Sequence, residues 1–68
     1  MQYFSTNMIP ELKELPASDR ETIIQSLHWA IAEGIDKTII PLNYFREGEH
    51  LQIRSYEYIE LYNAFKRN

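Results

Sequence analysis

Apolar residues recur at three- and four-residue steps through Ser18–Ile35, SDRETIIQSLHWAIAEGI. Ile23, Leu27, Ala30, Ile31 and Gly34 make one stripe, widened on one side by Ile24 and Ile35. This periodicity predicts an amphipathic helix that anchors the fold. Ser18 and Glu21 have the spacing of a capping box: the serine oxygen would accept from the third helical N–H, and the glutamate would reach back to the Ser18 N–H. Gly34 is the expected stop, because glycine enters the left-handed conformation at little steric cost.

The flanking patterns change period. Ile9, Leu12 and Leu15 share a face at i, i+3 and i+6, with Pro10 as first helical residue and Pro16 ending the turn, so a short first helix is expected to dock on the second. Before it, Tyr3, Phe4 and Met8 imply a terminal arm tied to the core. Thr38–Phe45 is rich in β-branched and aromatic residues, Arg46–Glu49 offers a turn, and His50–Arg54 alternates polar and apolar. Residues 38–54 therefore read as a β-hairpin with Pro41 on an edge or bulge. The competing reading is a helix from Glu49, since Leu51 would continue the face of the next one. Ser55 is the expected N-cap of a third helix, whose Tyr58, Leu61, Tyr62 and Phe65 form an i, i+3, i+4, i+7 seam. Glu57 near its start and Lys66 and Arg67 near its end suit the helix dipole. The expectation is a single α+β domain over residues 1–68, in the order α-α-β-β-α, with helix two central and Ile23, Leu27, Ile31, Leu61 and Phe65 in the core. An all-α three-helix bundle is the alternative.

The run YFSTNMIPELKELPASDRETI resembles the N-terminus of small, uncharacterised gammaproteobacterial proteins that open with an FST…IP.L..L…(D/E)R pattern. The resemblance covers about the first third of the chain. It implies a bacterial origin and transfers no functional residue.

Composition narrows the classes. A chain of 68 residues buries only about 60% of its unfolded surface, and with no cysteine it has neither a disulfide nor a thiolate metal site to supplement a small core. Idealised packing or self-association would have to supply the difference. Ten acidic and seven basic residues give a net charge of −3, and the cations (Lys13, Arg20, Lys37, Arg46, Arg54, Lys66, Arg67) are dispersed, which disfavours a duplex-DNA binder. No apolar run approaches the roughly 20 residues of a membrane span, and the opening MQYFSTNM lacks a basic region followed by a long apolar one. A cytoplasmic protein is expected.

Candidate chemistry is sparse. Glu47, Glu49 and His50, with His28 as a fourth candidate, match no metal-ligand spacing, and a charged turn is ordinarily a solvated one. No catalytic residue, metal site, cofactor or small-molecule substrate is inferred. On a helical wheel, Trp29 lies opposite the Ile23–Leu27–Ala30 stripe, beside Thr22, Gln25, Ser26 and Glu33, and Tyr56 faces away from the third-helix seam. These six residues are the candidate interface, because exposed tryptophan and tyrosine favour binding surfaces; the rival is that the N-terminal arm, with Tyr3 and Phe4, folds over Trp29. The reading is a non-enzymatic protein-interaction module (regulator, adaptor or inhibitor) that forms a homo-oligomer or meets another protein. A winged-helix-like DNA-binding regulator, with Arg46 at the wing tip, is the alternative.

Overall fold

The computed structural model describes residues 2–45 and 48–66. It is an α+β domain: β1 (Gln2–Tyr3), a 3₁₀ turn (Thr6–Met8), α1 (Ile9–Lys13), α2 (Ala17–Glu33), β2 (Lys37–Pro41), β3 (His50–Arg54) and α3 (Ser55–Lys66). The α-α-β-β-α order expected from the sequence is present, with one added strand at the front. Arg46, Glu47 and Arg67, named above for the turn and the helix dipole, lie outside the described residues.

The three strands form one sheet in the order β1-β3-β2. β2 runs antiparallel to β3, with Thr38 opposite Ile53 and Ile40 opposite Leu51; β1 runs parallel to β3, with Tyr3 opposite Gln52. The N-terminal arm is therefore tied down as an edge strand, extended by a Phe4 N–H bond to the Gln52 carbonyl at 2.9 Å. β3 is the central strand and α2 packs against β2 and α3, so the sheet's organising element is β3 rather than helix two. Pro41 ends edge strand β2, where a missing N–H costs little.

Strand alternation divides the two faces. Thr38, Ile40, Leu51 and Ile53 are buried against the helices, where Ile23, Leu27, Ala30, Leu61, Tyr58, Phe65, Leu12, Leu15 and Phe4 complete the core. Ile31, expected inside, is 39% exposed. The buried meridian of α2 instead runs through Asp19, Ile23, Leu27 and Ala30. Ile31 sits one helical step of about 100° from Ala30 and so turns toward the rim.

Two caps differ from expectation. α2 begins at Ala17 behind Pro16, whose extended ψ of 151° presents its carbonyl to the N–H groups of Asp19 and Arg20 at 3.0 Å each. Ser18 is thus inside the first turn and makes no side-chain cap; its carbonyl accepts from Thr22 Oγ1, and Glu21 Oε1 accepts from Gln25 Nε2 instead of reaching backward. α3 includes Ser55, and Glu57 Oε1 accepts from the Arg54 N–H at 3.2 Å, which puts the cap position at Arg54. Gly34 does close α2: at φ 67° its N–H reaches the Ile31 carbonyl at 3.3 Å while the Ile35 N–H reaches Ala30 at 3.1 Å, the paired bonds of a Schellman ending.

The first hairpin strand is shorter than its β-rich sequence suggests. The cause is Asp19, 1% exposed, whose two carboxylate oxygens accept from the Asn43 and Tyr44 N–H groups at 2.9 and 3.0 Å. Those amides are thereby drawn off the ladder onto the first turn of α2, and Leu42 is buried beside them.

Candidate interaction surfaces

Trp29 is 56% exposed on α2. Gln25 and Glu33 are also exposed, and Thr22 and Ser26 half-buried, so five of the six expected interface residues share the outer flank of this helix. The flank carries Glu33 and no Lys or Arg; the one arginine of α2, Arg20, is half-buried with its Nε donating to the Leu15 carbonyl at 3.0 Å. Phe4 lies in the core and Tyr3 on the sheet, so the N-terminal arm is engaged away from Trp29. Tyr56, 79% exposed, stands elsewhere: it lines a shallow groove with Tyr3, Phe4, Gln52, Arg54 and Glu57.

On the opposite flank of α2, the Tyr62 hydroxyl and His28 Nε2 are 2.7 Å apart, their rings meet edge-on at 4.8 Å, and Lys66 Nζ lies 5.1 Å from the Tyr62 centroid. His28 is thus a tie between α2 and α3. It is not assembled with Glu49 and His50: Glu49 lines a groove with Gln2, Met8 and Glu11, and no metal-sized cluster of three or more His, Asp or Glu occurs among the described residues. An apolar groove beside the α2 terminus is walled by Ile31, Ile35 and Ile59 over Ala30 and Tyr58. The Tyr58 hydroxyl donates to the Ile35 carbonyl at 2.9 Å, and burial, followed by the Asp36 charge, pushes its pKa up.

Sequence reasoning missed the open sheet face. β1 is too short to show a period, and without β1 the row Tyr3–Gln52–Ile39 across three strands cannot be drawn. None of the described helices is long and apolar enough to cross a membrane. No family model, curated protein or solved structure matches the chain.

Proposed function

We propose that this protein is a non-enzymatic protein-interaction module that pairs with a second copy of itself through the Trp29 flank of α2. One observation carries the reading: the largest side chain of α2 is 56% exposed, and the arm that could have covered it pairs with β3. Burying a large aromatic contributes about 1.5–3 kcal/mol or more, a sizeable fraction of a small domain's margin. A two-fold contact would bury Trp29 twice with one kind of surface, and Gln25, Ser26 and Thr22 supply polar groups for its rim. The acidic flank weighs against the winged-helix alternative, since a helix entering a groove of duplex DNA needs cations to meet phosphate.

Sedimentation velocity on the wild type and on Trp29→Ala tests the pairing. The wild type should show a concentration-dependent dimer, and the variant should weaken it by about 2 kcal/mol, roughly 30-fold in Kd. Emission from the chain's single tryptophan should shift to the blue as the dimer forms. A wild type that remains monomeric at high micromolar concentration overturns the reading.

A further inference from the structure

The helices cover one side of the sheet and leave the other open. On that side Lys37 and Arg54 are directly opposed on β2 and β3, both exposed. Like charges facing each other across an antiparallel pair repel, and neither side chain has a hydrogen-bond or ion-pair partner among the described residues. Next to them runs the row Tyr3–Gln52–Ile39, with Tyr3 64% and Ile39 45% exposed. Gln52 is the unusual member. It is only 7% exposed, yet its side-chain amide makes no hydrogen bond among the described residues and stays open at the floor of the groove between Tyr3, Arg54 and Tyr56.

Each feature asks for a complement. A repelling cation pair is relieved by an anion placed between its members, and Arg prefers a planar carboxylate it can meet with two N–H groups. A recessed primary amide, donor and acceptor at once, matches the N–H and C=O of a peptide group. Two exposed tyrosines give contact area at low entropy cost. We propose that the open sheet face binds an extended acidic peptide segment of another protein: a carboxylate seats between Arg54 and Lys37, a peptide group pairs with Gln52, and an apolar side chain lies against Tyr3 and Tyr56.

The same aromatics and cations would suit a single-stranded nucleic acid, but the charge count favours the peptide. A nucleic acid needs a basic path along successive phosphates, whereas the described residues of this face offer a single opposed cation pair, Lys37 and Arg54. One well-placed carboxylate satisfies two cations.

The proposal is separate from the Trp29 pairing, so it is tested in the Trp29→Ala background, where that contact is removed. Amide NMR spectra are titrated with the capped pentapeptide Glu-Phe-Glu-Tyr-Glu, with its counterpart carrying lysine at each glutamate, and with an oligouridylate. The acidic peptide should give saturable shifts at the Gln52 side-chain amide and at Tyr3, Lys37, Ile39 and Arg54. Lys37→Glu, a change at an exposed position, should weaken binding roughly five-fold or more while leaving the remaining spectrum intact. Three outcomes overturn the proposal: no saturable shift up to about 1 mM peptide, equal binding of the lysine peptide, or tighter binding of the oligouridylate at the same residues.

Discussion

Asp19 shows how one side chain sets the course of a distant segment. Its carboxylate is buried and accepts two backbone N–H groups from residues 24 and 25 positions away. Removing it orphans both amides. Asp19→Ala should therefore destabilise the domain by about 1.5–3 kcal/mol in denaturant melts, with faster hydrogen exchange at Asn43 and Tyr44 than elsewhere. Asp19→Asn, which keeps one acceptor oxygen, should lose less. The capping-box spacing of Ser18 and Glu21 pointed to the serine, and Asp19 beside it carried no signal of its own. Nothing local records that Asp19 has its partners beyond the end of β2. Gly34 was legible because its role is decided within one turn of its own helix.

Elements with many residues in phase could be read in advance, and short ones could not. The α2 stripe and the Tyr58–Leu61–Tyr62–Phe65 seam each repeat often enough to define a face: Ile23, Leu27, Ala30, Tyr58, Leu61 and Phe65 are buried, Ile24, Ile35 and Tyr62 half-buried, and Ile31 and Gly34 exposed. β3 alternated clearly. β1 has two residues, both exposed, and acquires its identity only from the strand it meets. The end of α2 offers a clean test of the helix-stop argument. A Cβ added at Gly34 would meet nothing within 4 Å, so the cost of Gly34→Ala is conformational, not steric crowding from neighbours. At φ 67° that cost should be about 1–2 kcal/mol by denaturant melt. An unchanged midpoint would mean that the Schellman ending contributes nothing.

Across the whole molecule, the two candidate surfaces differ in how far sequence could reach them. The Trp29 flank needs only a helical wheel. The sheet face needs three strands from both ends of the chain, and Tyr56 joins it only because α3 starts where β3 stops. Tyr58 ties these layers together, and its titration gives a global readout. Its folded pKa is raised above the ordinary 10.0, so the folded state holds that proton more tightly than the unfolded chain does. The associated stability is fully present below about pH 10 and is lost as pH rises through the higher folded value. Melts from about pH 8 to 11 should show this decline, and Tyr58→Phe should flatten it while lowering stability at neutral pH by about 0.5–1.5 kcal/mol for the lost hydrogen bond. Equal declines in both proteins would assign the alkaline loss to other groups.

The parallel pairing of β1 with β3 also has a consequence for how the molecule comes into being. Gln2 and Tyr3 are made long before their partners and can pair only when Leu51 and Gln52 have followed. Until then Phe4 has no core to enter, and any nascent α1–α2 hairpin must persist without the strand that precedes it. Such long-range closure is slow compared with forming either helix. The domain should therefore acquire protease resistance in one late step as α3 emerges, and stalled chains ending before residue 50 should remain cleavable throughout.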